Sequence, residues 1–335
     1  MLQLHLDASP LRPAVALSSF LFTGIGLAAL APCGQAQGWP SKPVRLIVAF
    51  PPGGGTDLVA RIVAPRLADA IGQMVIVDNR AGAAGLVGTE LATKAPADGH
   101  TLFLGTLGNL SVNPLLYPKL PFDVERDLQP VANVVAVTFM LYAHPSIPVR
   151  SVRELVALAK SRPGELDYAS SGAGGAPHLG AELFNLLAGV RLVHVPYKGS
   201  AQSFTDVLAG HVPVTFDSLV QGLQYVKDGR LRALATLGAK RSAVLPEVPS
   251  VGETLPGYDL TNWFGLVTQA AVPREVVSRL NADVVKVLRT PDARDRLLAL
   301  GAEPIGDSPE QFGAFMKAES RKWARVIRDA KIRAD

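Results

Sequence analysis

Arg45-Leu46-Ile47-Val48-Ala49-Phe50-Pro51-Pro52-Gly53-Gly54-Gly55-Thr56-Asp57-Leu58-Val59-Ala60-Arg61 is the stretch whose reading decides the fold. Apart from Arg45 the first half is continuously apolar and rich in β-branched residues, as in a strand buried on both faces, and two prolines stop it. Three glycines then let the backbone adopt positive φ and come close to a ligand, and Thr56 or Asp57 is placed to cap the helix that follows. Unpaired N–H groups at such a helix start favour a negative group, so a carboxylate or phosphate would be held by backbone. The loop lacks the Gly-Lys-Ser/Thr ending of a Walker A motif and the spacing of a dinucleotide fingerprint. A tight turn that needs glycine only for steric reasons fits the same residues.

The same syntax recurs along the chain. Met74–Asp78 is a second strand, followed by the glycine loop 79–85 and a helix from Leu86 to Lys94. Thr101–Gly105 is a third strand, ending at Thr106, Gly108 and Asn109, and segment 113–127 carries too many prolines for a regular element. Val131 to Ala143 is a long strand suited to crossing between domains. Beyond Pro148, Ser151 and Glu154 form a capping box for a helix to Lys160. A strand at 166–169 leads into Ser170-Ser171-Gly172-Ala173-Gly174-Gly175-Ala176-Pro177-His178, a second anion cradle opening a helix to Leu187. Strands at 192–195, 212–216 and 231–236 follow; Asn262–Val267 is a return crossing, and helices occupy 273–288, 291–300 and 308–330. Loops at the carboxyl ends of parallel strands gather along one edge, where ligands bind. Two such α/β lobes joined by two crossings make a cleft with a glycine cradle on each side.

Composition excludes several function classes. At 335 residues, with 48% hydrophobic and 19% charged residues, the chain has material for two well-filled cores. A net charge of +4, scattered basic residues and few aromatics argue against nucleic-acid binding. No histidine pair or acidic cluster has metal-ligand spacing, so neither a metal nor a cofactor is expected. Residues 1–36 have the form of a signal peptide: an apolar Ala14–Ala31 preceded by Arg12 and followed by Gly34-Gln35-Ala36. Export to the periplasm follows, with a mature start near Gln37 that removes Cys33, the one cysteine; Pro32 precedes Cys33 where a lipobox wants a small residue.

Arg45–Arg61, Asn79-Arg80 with its glycine loop, Pro96–Thr101, Tyr168–His178, His194–Gly199 and Trp263–Val267 together resemble the Bug-type solute receptors of tripartite tricarboxylate transporters. The resemblance covers nearly the whole mature chain. It implies an α/β, two-lobed type II periplasmic-binding-protein fold, each lobe a mostly parallel sheet flanked by helices, with a hinge of two crossing strands. The lobes are expected at 40–142 plus 260–335 and at 143–259. It further implies a monomer that binds a small carboxylate and delivers it to integral membrane subunits. Gly175 stands where such receptors usually carry Ser or Thr, so a hydroxyl contact is missing or replaced by water.

The ligand-binding residues expected are Phe50, Gly53, Gly54, Thr56, Asp57, Thr106, Asn109, Ser170, Ser171, Gly174, His178, Tyr197 and Asp217. Thr56 and Asp57 serve equally as caps, His178 serves equally a structural role, and Lys198 reads as solvated. Asp217, ending a strand, is placed to discriminate ligands by accepting a hydrogen bond from an amine, hydroxyl or amide. A hydrolase built on Ser171, His178 and Asp217 is the rival, but there is no Gly-x-Ser-x-Gly elbow. A ligand-sensing partner of a membrane signalling protein is the other alternative.

Overall fold

The computed structural model describes residues 38–117, 119–242, 245–329 and 332–333. The expected signal peptide and Cys33 lie outside them. Strand β1 (Val44–Val48) leads through the glycine loop into α1 (Gly55–Ile71); β2 (Val75–Asn79), α2 (Leu86–Thr93) and β3 (Thr101–Thr106) follow. β1 pairs in parallel with β2 and β3, Val48 lying opposite both Asn79 and Leu104, so the three strand ends share one edge of the sheet. Val44, Leu46, Ile47 and Val48 are buried, the double-sided burial that the apolar run anticipates.

After a π-helical turn at Gly108–Val112, two short helices, α3 (Asn113–Leu116) and α4 (Val124–Asp127), lie in the stretch 113–127 read as irregular. Pro114 sits in the first turn of α3, where its missing N–H costs nothing, and Asp123 accepts from Glu125 N and Arg126 N as the cap of α4. The expected long strand is two strands, β4 (Leu128–Val137) and β5 (Phe139–Ala143), in different sheets. The change of sheet falls at Thr138, ahead of the expected lobe boundary at 142.

β5 enters a five-stranded sheet of order β7-β6-β8-β5-β9, built with α5 (Val152–Ser161), β6 (Asp167–Ser170), α6 (Ala176–Ala188), β7 (Val193–Pro196), α7 (Ser200–Leu208), β8 (Val214–Ser218), α8 (Leu219–Lys227) and β9 (Arg232–Thr236). The chain returns through β10 (Asn262–Gln269), then α9 (Arg274–Arg289), α10 (Pro291–Ala299), β11 (Ala302–Pro304) and α11 (Pro309–Asp329). The first sheet has the order β11-β4-β10-β3-β1-β2. Three-residue β11 carries no periodicity of its own, which is why the sequence does not show it. Each sheet combines a parallel half, which carries the glycine loops, with an antiparallel half supplied by the crossing strands. Asn262 pairs with Val137 and Ser218 with Phe139, so these two polar residues flank the crossing at Thr138.

Candidate functional site

Three helices begin at one cavity lined by residues of both sheets' strands and loops, each after a glycine N-cap with no side-chain hydrogen bond: α1 after Gly54, α6 after Gly175 and α7 after Gly199. The first intrahelical bonds are Leu58 N to Gly54 O, Leu179 N to Gly175 O and Ser203 N to Gly199 O. The N–H groups ahead of them are the unsatisfied donors of a helix start, and each helix brings roughly half a positive charge to the same space. Gly54, Gly55, Thr56, Gly175, Ala176 and Ser200 line the cavity with Phe50, Thr106, Phe139, Ser171, Asp217, Ser218, Asn262 and Phe264, and about 50 Å³ is open to water centres. No Lys, Arg or His is among the described residues lining it.

The lobes touch across glycine. A Cβ on Gly55 would lie 3.1 Å from Ser218 Oγ and one on Gly108 would lie 3.1 Å from Gly174 O. A Cβ at either position is closer than ordinary contact, so the neighbour would have to shift by a few tenths of an ångström.

Six of the thirteen expected residues line the cavity: Phe50, Gly54, Thr56, Thr106, Ser171 and Asp217. The other seven are not among its lining residues, and most of them hold the lining residues in place. Asp57 does not cap α1 by its position; from the first turn its carboxylate reaches back to Gly53 N at 2.9 Å, and it also pairs with Arg61 and accepts from Asn79 Nδ2. Burial pushes its pKa up, but the Arg61, Gly53 and Asn79 hydrogen bonds together hold it below the usual carboxylate range. Gly53 takes the positive φ of 83° that this turn requires, whereas Gly54 has φ −78°, so the expectation of positive φ at Gly54 is corrected. Asn109 accepts from Thr106 N and Thr106 Oγ1 and fixes the strand end.

In the second loop Gly174 N donates to His178 Nδ1 at 3.0 Å, and His178 stacks on His194 at 4.2 Å. Ser170 Oγ accepts from Gly172 N and lies 2.6 Å from His194 Nε2. An Nδ1 that accepts a backbone hydrogen bond carries no proton, so the imidazole of His178 is a brace. Tyr197 donates to Asp206; burial first, then that bond, pushes its hydroxyl up to about 12.

Asp217 is 1% exposed. Its Oδ1 accepts from Ser200 Oγ at 3.0 Å and from Ser218 N, while Oδ2 is buried with no partner among the described residues. Asn262 Oδ1, at the other side of the crossing, is likewise buried and unpartnered. Two buried acceptors without a partner among the described residues thus lie at the same cavity, where a donor from outside the protein would satisfy them. Asp217 Oδ1 is bonded to Ser200 and Ser218, and His178 Nδ1 accepts from Gly174 N, bonds that brace the loops.

Sequence reasoning missed the third helix start, Gly199–Gln202. Its signal is present: a strand, then Pro196-Tyr197-Lys198-Gly199-Ser200, the same strand–glycine–helix syntax with a single glycine. Asn262, Phe139 and Phe264 were missed because only the crossing geometry brings them to the cavity.

Two α/β sheets flanked by helices, with helix N-termini gathered at one pocket, define a protein of the periplasmic binding-protein type. The chain belongs to the tripartite tricarboxylate transporter receptor family, whose profile matches residues 59–332. Protein BugT of Bordetella pertussis is 36% identical over 91% of this chain and 94% of its own. A Rhodopseudomonas palustris protein solved with adipate is 37% identical and superposes with a TM-score of 0.86 over 88% of this chain and 99% of its own. MatC of the same organism, solved with bound malate, is 30% identical with a TM-score of 0.82 over 86% of this chain and 99% of its own. The family is one of solute-binding receptors, not enzymes.

Proposed function

We propose that this chain is an extracytoplasmic receptor that closes its lobes on a small carboxylate in the cavity between them and delivers it to the membrane subunits of a tripartite transporter. The observation that carries this reading is the convergence of three uncapped helix starts on a cavity without a basic side chain. Backbone donors suit a planar carboxylate, whereas a polyphosphate would call for cations beside it. The contacts assigned are the N–H groups of the α1, α6 and α7 starts with Thr56, Thr106 and Ser171 for one carboxylate, and Asp217 and Asn262 for the variable end. Adipate and malate in two solved relatives support a ligand polar at both ends. The moving bodies are assigned as 40–138 with 260–335 and 139–259, turning at Thr138 and in the approach to β10. The leader-like segment supports a periplasmic mature protein, and the expected monomer is carried over from the resemblance.

Mass spectrometry of solute released from the native purified protein tests the reading, followed by thermal shift with a panel of mono- and dicarboxylates. A ligand at a hundred times its Kd adds about 2.7 kcal/mol to stability, which raises Tm visibly. Release of a neutral or cationic solute, with no stabilisation by any carboxylate, would overturn it.

A further inference from the structure

Of the described residues lining the cavity, the one that titrates in the ordinary carboxylate-to-lysine range is an acid, Asp217, in a space otherwise built to receive anions. Its surroundings offer no cation in exchange. Ser200 and Ser218 both bond to Oδ1, leaving Oδ2 buried and without a protein partner. On β5, the facing titratable group is the Tyr142 hydroxyl, which donates to Ser218 O and is itself pushed well above its ordinary value, by burial first and then by the Asp217 charge. On α7, Asp206 accepts from Tyr197; on α6, Glu182 accepts from Tyr168 and His178 accepts from Gly174; Lys227 stands at the far end of α8, and Asp167 opens β6. None of these is bonded to Oδ2.

Charge counting then decides the state of the site. The three glycine-capped helix starts and the α8 start at Ser218, which also lines the cavity, bring about +2 in total. A dicarboxylate brings two negative charges, and an ionised Asp217, itself 1% exposed, would make three. Burying that surplus charge costs far more than taking up one proton. Already without ligand, burial raises the Asp217 pKa to about 6, against the lowering effect of the Ser218 and Ser200 hydrogen bonds.

Building on the carboxylate-receptor reading, we propose that Asp217 is carried as its protonated acid in the dicarboxylate-bound receptor, with the Oδ2 proton donated to the distal carboxylate of the ligand. This reverses the hydrogen bond expected from the sequence, in which Asp217 accepts. The balance is receptor plus dianion plus one proton from solvent, giving a complex in which the proton sits between Oδ2 and a ligand oxygen. The receptor thereby selects a second carboxylate over an ammonium, since an ammonium would hold Asp217 ionised, and it captures a proton together with its dianion.

Isothermal calorimetry on the mature protein tests this, with straight-chain dicarboxylates up to adipate and with malate as probes, each run in two buffers of different ionisation enthalpy. Near one proton should be absorbed per ligand at pH 8 and about half near pH 6. Kd should weaken roughly tenfold per pH unit between pH 7 and pH 8, because a bound state that holds one more proton loses affinity as pH rises. Asp217→Asn keeps an acceptor for Ser200 and Ser218 and supplies a permanent N–H in place of the proton; it should bind the same probe with a Kd that varies less than about threefold from pH 6 to pH 8. Dicarboxylate binding by the wild type with no proton uptake at pH 8, or with proton release, would overturn the proposal and leave the receptor reading standing. Absence of binding by every dicarboxylate, with 6-aminohexanoate or another ammonium-bearing acid binding instead, overturns the proposal too and keeps the receptor. Failure of all carboxylates would sink both.

Discussion

The two glycine loops that face each other across the cavity do one job with different supports. The first, between Pro51 and Gly55, has one residue at positive φ, Gly53, and is braced by an ionised carboxylate: Asp57 ties Gly53 N to Arg61 and Asn79. The second, between Ser170 and Gly175, has Gly172 and Gly174 at positive φ and is braced by a hydroxyl and two stacked imidazoles: Ser170, His178 and His194. Both deliver an uncapped helix start to the same space. The difference teaches that polar side chains inside a cradle motif can belong to its scaffolding. Asp57 and His178 shape the loops, and the proposed anion contacts are left to the loops' N–H groups.

Closing the lobes is what both loops need, so a variant that blocks closure should have the largest effect. Gly55→Val places a β-branched side chain 3.1 Å from Ser218 Oγ on the opposite lobe. Carboxylate affinity should fall at least a hundredfold by calorimetry, while the ligand-free Tm moves little. Tight binding by this variant would show that the closed arrangement is not the binding one.

Removing each brace sharpens the comparison. Asp57→Ala strands Gly53 N–H and the Asn79 amide and should cost about 2 kcal/mol in urea unfolding, discounted from a fully buried pair because Arg61 is half exposed. Because the folded-state pKa of Asp57 is lowered, its stabilisation is complete above the ordinary carboxylate range and is lost as pH falls through that lowered value. The stability gap between wild type and variant should therefore narrow in acid. His178→Leu removes the acceptor of Gly174 N–H and should cost about 1–2 kcal/mol with no such narrowing traceable to a carboxylate. Equal acid dependence of the two gaps would erase the distinction between the supports.

How much of this was legible follows from range. Strand–glycine–helix punctuation is local, and it gave β1 to α1 and β6 to α6 nearly to the residue. The crossing nature of 131–143 was readable from its length, but its break at Thr138 was not, because both halves are apolar and pairing partners alone separate them. Whether a polar side chain braces or binds is invisible locally: Asp57 turns toward Asn79, and His178 stacks on His194, partners set by the fold. Asn262 reaches the cavity only through its register opposite Val137.

The smallest effect is expected at Gly175, the residue before α6 in the second loop. Gly175→Ser offers α6 a side-chain cap, yet its Cβ would sit 3.2 Å from Ser171 Oγ, so the two terms offset. Stability should change by only a few tenths of a kcal/mol, while the ranking of carboxylates in a thermal-shift panel changes, because a new hydroxyl enters the cavity wall. An unchanged ranking would place Gly175 outside the recognition surface.

The central claim, that backbone at helix starts holds the anion, is tested most directly by a crystal structure with the most stabilising carboxylate. One carboxylate group should lie within hydrogen-bond distance, about 2.7–3.1 Å, of N–H groups in the first turns of α1 and at least one of α6 and α7, with no Lys or Arg touching it. A carboxylate seated on a basic side chain, or outside the space between Thr56, Ser171 and Asp217, would contradict the account.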